Sequence, residues 1–376
     1  MNVTRLHVSN FRNIGNIELY PDKGINIIFG ENAQGKTNLL ESIWLFSGFR
    51  SFRGSKDNEL IRFGEDFLRN DIDFYGAGRD QNVRLIVSKQ SKKIILNSVP
   101  LNATSKLIGN FNCVVFSPAY LSLVKGNPSE RRKFIDSAIC QIKPSYAKVI
   151  TDYNKILCQR NQFLKDLKFN NSAYDFLEIW NQKLSEKAAV VIKERIKYIE
   201  KLSLAASGIY SGLSGEKEEL TLEYKMRVSS NRYEKISREV EESEILALLK
   251  QCESNDIMYG NTNVGAHHDE IDIKIDNISA KSFGSQGQQK SFLIALKLAE
   301  YRLLAEQSGD RPILLLDDLF DKLDMRRVAE LLRLVGGDMF GQIMITDCNK
   351  HRLQRTLSEA GVEYRLFHIS EGKASL

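Results

Sequence analysis

The rhythm of apolar and polar positions changes three times along the chain. Residues 3–9 and 17–20 alternate, the period of half-buried strands. Gly24 interrupts, and Ile25-Asn26-Ile27-Ile28-Phe29 follows as a short apolar run of strand length. A glycine-rich turn leads into helical spacing from about Thr37 to Phe46. Alternation returns near 67–75, 83–89 and 93–96 and predicts an antiparallel sheet, with Asn97-Ser98 as a hairpin turn. Cys113-Val114-Val115-Phe116 reads as a buried strand stopped by Pro118. From Pro128 to about Lys250 the helical period takes over. Trp180, Leu184, Ala188 and Val191 mark one face, and residues 219–226 are strand-like. Beyond Asn255, Ile271, Ile273 and Ile275 alternate. A helix is expected from about Gln288 to Gln307, strands at Ile313-Leu314-Leu315-Leu316 and Ile343-Met344-Ile345, and a helix over 324–335. The fold class is α/β: a head in two sequence halves, 1–125 and 251–376, with an antiparallel β subdomain, and a helical arm inserted at 126–250.

Composition narrows this picture. With 376 residues, 42% hydrophobic and 27% charged, the chain has enough material for two or three globular domains. No apolar run approaches the 18 or so residues that span a bilayer, and residues 1–11 lack the apolar core of a signal peptide. The five cysteines are odd in number, and no pair has zinc-ligand spacing, which favours a reducing cytoplasm over a disulfide framework. The formal charge of +5 is unevenly placed. Residues 126–201 hold 15 lysines and arginines against 9 acids, while residues 202–250 hold 7 against 9. The run Arg131-Arg132-Lys133 opens the basic segment, and Lys143, Lys148, Lys155, Arg160, Lys165, Lys168, Lys183 and Lys187 continue it. Such a segment is either a solvated helical face or a surface that neutralises phosphates.

The chemistry begins at Gly30-Glu31-Asn32-Ala33-Gln34-Gly35-Lys36-Thr37, which fits G-x-x-x-x-G-K-[ST]. Chance alone yields such a match in about 1% of chains of this length. It follows an apolar strand and opens a helix, the setting in which backbone N–H groups and the positive helix end cradle phosphates. Lys36 is placed to reach the β- and γ-phosphates of ATP, and the Thr37 hydroxyl to ligate Mg²⁺. Asp317 and Asp318 end the apolar strand 313–316, where ligands bind in open α/β sheets. Asp317 is expected on the metal, and Asp318 is expected to orient or deprotonate the attacking water.

Some 280 residues separate Thr37 from Asp317, far more than in compact kinases and GTPases, so a large element is inserted between the halves of one nucleotide fold. Phe283-Gly284-Ser285-Gln286-Gly287-Gln288-Gln289-Lys290 then precedes an apolar helix face of Phe292, Ala295, Leu296, Ala299 and Leu303. Its Ser, Gly and Gln residues at a helix N-terminus form an anion site without lysine. The nucleotide on residues 30–37 does not need it, so a nucleotide on another subunit is the economical ligand.

That Ser-Gln-Gly-Gln-Gln segment resembles the signature motif of ABC-type ATPases, and the helical insertion is similar to their SMC-like branch. Within that branch the chain resembles the RecF family of bacterial recombination-mediator and gap-repair ATPases. The residues that carry the resemblance are Asn10-Phe11-Arg12-Asn13, Gly30–Thr37 with Asn38-Leu39-Leu40-Glu41, Glu59-Leu60-Ile61-Arg62, and residues 129–136. Residues 285–290 and 295–300, Leu315-Leu316-Asp317-Asp318 and Leu323-Asp324 complete them. The resemblance implies an ABC-type head whose nucleotide contacts include Arg12 and residues 30–37. It also implies that Ser285, Gly287 and Gln288 close over the nucleotide of a second copy in an ATP-dependent homodimer. It further implies a weak, DNA-stimulated ATPase that binds double-stranded DNA near single-strand gaps. RecR- and RecO-type proteins would be its partners in loading recombinase, and Arg131, Arg132 and Lys133 would contact DNA.

Three stretches depart from the family pattern. Gly265-Ala266-His267-His268-Asp269-Glu270 stands for Gly-Pro-His-Arg-Asp-Asp, Ala119-Tyr120 for Glu-Asp, and Asp321-Lys322 for Ser-Glu. His267 to Glu270 invite a metal reading, but a turn beside the signature strand is the better expectation. Other functions compete. An SMC-type chromosome organiser should carry coiled coils hundreds of residues long. A transporter ATPase subunit should carry a Gly-Gly signature and lack the basic insertion. A nucleotide-gated module that does not hydrolyse is the remaining reading.

Overall fold

The computed structural model describes residues 1–168, 171–214, 218–229, 231–283, 286–318, 337, 339–348, 354, 357 and 363–375. The chain divides into two compact units, one of Met1–Tyr120 with Lys297–Leu376, the other of Leu121–Leu296.

The first unit opens with β1 (Asn2–Phe11), β2 (Ile14–Leu19) and β3 (Ile25–Phe29), followed by α1 (Lys36–Trp44). Then come β4 (Phe67–Gly76), β5 (Arg79–Ser88), β6 (Lys92–Leu96), β7 (Val99–Leu101) and β8 (Cys113–Phe116). The alternating strands form an antiparallel sheet of order β2-β1-β4-β5-β6-β7. Asn97 and Ser98 both have positive φ, at 49° and 67°, and so make the tight turn expected between β6 and β7.

The second unit holds α2 (Ser122–Lys125), α3 (Pro128–Ile142), α4 (Ser145–Leu167), α5 (Leu177–Ser214), β9 (Leu220–Ser229), β10 (Arg232–Lys235) and α6 (Glu242–Tyr259). It continues through β11 (Glu270–Ile275), β12 (Ile278–Ser279) and α7 (Ala280–Phe283) into α8 (Gln286–Ser308), which runs past the unit's end at Leu296. On α5, Leu184, Ala188 and Val191 are buried as their spacing predicts, because that stripe packs inward. The helical segment expected to close at 250 does not separate there. β9 pairs with β11 from Leu220↔Ile275 to Lys225↔Glu270, in the sheet order β10-β9-β11-β12, so the compact unit reaches Leu296.

The chain re-enters the first unit and supplies β13 (Ile313–Asp317), β14 (Ile343–Asp347), β15 (Tyr364–Ser370) and β16 (Lys373–Ser375). These join β3 and β8 in the order β16-β15-β3-β14-β13-β8, parallel except for β16. The apolar runs are explained by this sheet, since parallel strands are buried on both faces. One core cluster takes in Val8 and Phe11 of β1, Leu39 and Leu40 of α1, and Ile28 and Leu315 of the parallel sheet. The helix expected over 324–335 lies outside the described residues. Among the described residues no helix is long and apolar enough to cross a membrane.

Candidate functional site

β3 is an inner strand of the parallel sheet, and its carboxyl end delivers residues 30–37 to the start of α1. Glu31, Asn32 and Ala33 are exposed along the loop, whereas Gly35 and Lys36 are buried. The Lys36 ammonium donates to the Gly30 carbonyl at 2.7 Å and the Glu31 carbonyl at 2.8 Å, which curls the loop around its own lysine. Asn13, from the β1–β2 turn, donates through Nδ2 to the Ala33 carbonyl at 2.8 Å. Arg12 has φ 52° and spends its guanidinium locally. It donates to the buried Glu41 carboxylate at 2.5 and 2.9 Å and to Ser55 Oγ at 2.8 Å. Arg12 therefore ties β1 to α1 beneath the loop.

Across the chain, Thr37 Oγ1 donates to Asp317 Oδ1 at 2.8 Å. Asp317 also accepts from Thr346 Oγ1 at 2.9 Å and from Ser117 Oγ at 3.3 Å. Burial pushes its carboxyl pKa up, and the three hydroxyls act against that shift. Asp318 follows with φ 47°, a left-handed conformation that Asp tolerates better than most residues, and its N–H donates to Thr346 Oγ1 at 3.0 Å. Four chain segments thus converge on one carboxylate: α1, the end of β8, the end of β13 and the end of β14.

A family model described as an AAA domain matches residues 5–256. The DNA replication and repair protein RecF of Clostridium acetobutylicum is 37% identical over 376 residues, covering 99% of both chains. That of Agathobacter rectalis is 35% identical over 377 residues, covering 100% of this chain and 99% of the relative. The chain belongs to the RecF family. A solved structure of the recombination mediator protein RecF with ATP, in the RecFOR pathway, aligns with TM-score 0.87 and 34% identity over 99% of this chain and 96% of that one. The Smc head domain of Pyrococcus furiosus aligns at TM-score 0.55 and 16% identity, over 99% of this chain and 95% of that one. That likeness bears on the fold alone, an ABC-type ATPase head.

The RecF-type signature is only partly described. Gly287 and Gln288 lie in the first turn of α8, where Gln288 Nε2 donates to Glu218 Oε1 at 2.7 Å; Ser285 lies outside the described residues. So do Asp321, Lys322, Leu323 and Asp324. Ala119 is exposed, and the Tyr120 ring lies 4.3 Å from the ammonium of the buried Lys297, which is paired with Glu300 on α8.

The basic run needs correction. Arg131 is only 4% exposed. Its guanidinium donates to Glu270 at 2.8 and 2.7 Å and to the Leu123 and Gly126 carbonyls, each at 3.0 Å. It is a structural ion pair and not part of a DNA-facing surface. Arg132 is half-buried and donates to the Asp269 carbonyl at 2.7 Å. Of the three only Lys133 is exposed. Arg160 and Arg195 are buried too, paired with Asp256 and Asp136. The segment's positive excess is therefore partly internal, and its outward charge rests on lysines such as Lys133, Lys148, Lys155, Lys165 and Lys168.

The 265–270 segment is a turn, closed by the His268 N–H to the Gly265 carbonyl at 2.8 Å. Both histidines direct Nε2 at the Thr262 carbonyl, at 3.1 and 3.0 Å. Tyr153 OH meets His267 Nδ1 at 2.6 Å, and Arg227 Nη1 meets His268 Nδ1 at 3.0 Å. A carbonyl can only accept, so both rings carry a proton on Nε2, and the Arg227 guanidinium can only donate, which makes His268 the neutral Nε2–H tautomer. Among the described residues no metal-holding cluster exists. Burial pushes the His267 pKa down to about 3 and lowers that of His268, while burial raises Asp269 to about 6.

Depressed histidine pKa values mean that the folded state binds fewer protons than the unfolded one, so their stabilisation is lost as pH falls below about 6.5. Asp269, with a raised pKa, acts oppositely: its contribution is present below about pH 4 and fades as pH rises through 6. The histidines act from about pH 6.5 downward, whereas Asp269 opposes them only from about pH 6. Thermal stability should therefore fall as pH drops from about 6.5 towards 6. His267→Gln keeps an amide donor and should flatten the decline. Parallel melting curves for the two proteins would remove His267 as its source.

Sequence reasoning missed Ser117 and Thr346 on Asp317, and the whole β15–β16 hairpin. Thr346 was visible, since Ile343-Met344-Ile345-Thr346-Asp347 repeats the apolar-then-polar pattern of 313–318. The hairpin too had a signal in the Glu371-Gly372 turn.

Proposed function

We propose that this chain is an ATP-dependent DNA-binding protein of recombinational repair and replication-fork maintenance, with a weak, DNA-stimulated ATPase. The observation that carries the reading is the 2.8 Å contact between Thr37 and Asp317, which sets a phosphate loop against a strand-end carboxylate. Lys36 and the backbone of residues 30–37 bind the triphosphate. Thr37 and Asp317 offer a hydroxyl and a carboxylate, hard oxygen donors suited to Mg²⁺. When bound, that ion neutralises charge on the β- and γ-phosphates. Asp318 orients or deprotonates the attacking water.

Two copies then close on ATP, with Ser285, Gly287 and Gln288 of one meeting the γ-phosphate held by the other, and Arg12 supporting the site from below α1. Dimer closure controls the grip on double-stranded DNA beside a gap, where RecR- and RecO-type partners help to load recombinase. The reading places the protein in the cytoplasm. Relatives solved with ATP and named for DNA replication and repair support it.

The test is binding to gapped, double-stranded and single-stranded probes, with and without ATP, at two salt concentrations. Affinity should rise with ATP and fall with salt. Lys133→Glu should weaken binding to all probes and reduce the salt slope by about 1. Arg131→Glu should instead unfold the protein, since it sets a second acid against Glu270. An affinity indifferent to both ATP and salt would end this reading.

A further inference from the structure

We propose that the turn of the β15–β16 hairpin, at Glu371 and Gly372, positions the phosphate loop and so sets its affinity for nucleotide. The inference rests on the nucleotide-binding reading above and adds to it the residues that hold the loop in shape.

A chain of contacts leads there. β15 runs parallel to β3 in register, with Leu366↔Ile27 and His368↔Phe29, so the hairpin turn emerges beside the residue that leaves β3. The Phe29 and His368 rings stack at 4.9 Å between centroids. At Gly30, φ is 157° and a Cβ would stand 2.2 Å from the Ile369 carbonyl oxygen, so the loop leaves the sheet pressed against β15. Glu371 and Gly372 both have positive φ, at 50° and 69°, forming a two-residue turn between Ser370 and Lys373. From that turn the Glu371 N–H donates to Gln34 Oε1 at 2.6 Å. A Cβ on Gly372 would stand 2.7 Å from the Asn13 carbonyl oxygen, and Asn13 in turn holds the Ala33 carbonyl. The turn is thus wedged between the β1–β2 turn and the phosphate loop, fixing Gln34 directly and Ala33 through Asn13.

The physical consequence concerns order. A phosphate loop binds through backbone N–H groups that must all face inward. Residues 30–35 belong to no helix or strand, so nothing in a ladder fixes them. Freedom left in the loop must be lost on binding and subtracts from affinity. Clamping Ala33 and Gln34 from outside removes that freedom beforehand. Glu371 and Gly372 touch no reacting atom and are positioning residues.

The test uses the full chain with ATP and Mg²⁺. Gly372→Val forces a β-branched residue into a left-handed conformation against Asn13, and Gln34→Leu deletes the acceptor without changing the core. Both should raise KM for ATP about tenfold with kcat within twofold of wild type, the pattern of lost ground-state binding. Glu371→Asn keeps the backbone N–H that Gln34 accepts and tolerates the left-handed turn, so its KM should stay near that of wild type. An unchanged KM in Gln34→Leu, or a Gly372→Val loss that follows its fall in melting temperature, overturns the proposal. A wild-type protein that binds no ATP would instead overturn the nucleotide-binding reading beneath it.

Discussion

Lys36→Met should cut ATP turnover by at least about a hundredfold while leaving the protein folded. The Lys36 ammonium sits within the loop on the Gly30 and Glu31 carbonyls, and no acidic side chain shares those two contacts. Its removal leaves two carbonyls without that donor, a folding cost of about 1 kcal/mol, because exposed residues 31–33 keep the loop within reach of water. The loss in function is larger. A preorganised charge aimed at phosphate oxygens contributes about 3–4 kcal/mol to a transition state, or a factor of 10²–10³. Phosphate release and circular dichroism on the same preparation separate the two effects. A variant that hydrolyses ATP normally would show that residues 30–37 are not a phosphate loop.

Arg160→Met should destabilise the second unit by about 3–5 kcal/mol, the cost of leaving one charge of a buried pair without its partner. Arg160 and Asp256 are both 0% exposed and meet at 2.8 Å. Nε of Arg160 donates to Asn181 at 2.9 Å, and Nη1 also donates to Thr262 Oγ1 at 2.7 Å. Asp256 accepts in turn from the Asn263 N–H and side chain, at 2.9 and 2.8 Å. One guanidinium therefore ties α4 to α5, α6 and the 260–263 loop. Lys148→Met, on the exposed face of α4, should cost no more than about 0.5 kcal/mol. Equal melting temperatures for Arg160→Met and Lys148→Met would show that the pair contributes little.

The same arginine shows how far the sequence could be read. A basic residue at 160 has the same letter whether it faces DNA or Asp256. Charge counting along the chain cannot see a partner 96 residues away. Helical spacing did carry that information in part: Arg160 recurs with Tyr153, Leu164 and Leu167 on the buried face of α4. The phosphate loop and the Asp317 strand were legible because each is written in consecutive residues. Ser117 and Gln34's hold on Glu371 were not, because each depends on which strands lie side by side. An apolar run such as 313–316 announces a buried strand without naming its neighbours. The second unit's extent was hidden for the same reason, since it is the β9–β11 pairing and side-chain ties such as Arg131 to Glu270 that carry it past residue 250.

The placement of β3 also has a consequence in time. β3 lies between β14 and β15, so both of its neighbours come from the far end of the chain. Thr37 and Asp317 are 280 residues apart. At a synthesis rate of about 5–20 residues per second, the ribosome needs roughly 15–55 seconds between the two. Throughout that interval Ile25–Phe29 is an apolar strand with no sheet to join, while α3 to α6 and the β9–β10 pair can already fold behind it. The phosphate loop is therefore made long before the sheet around it is complete. A newborn chain can close that sheet on both sides of β3 only once β14 and β15 have emerged.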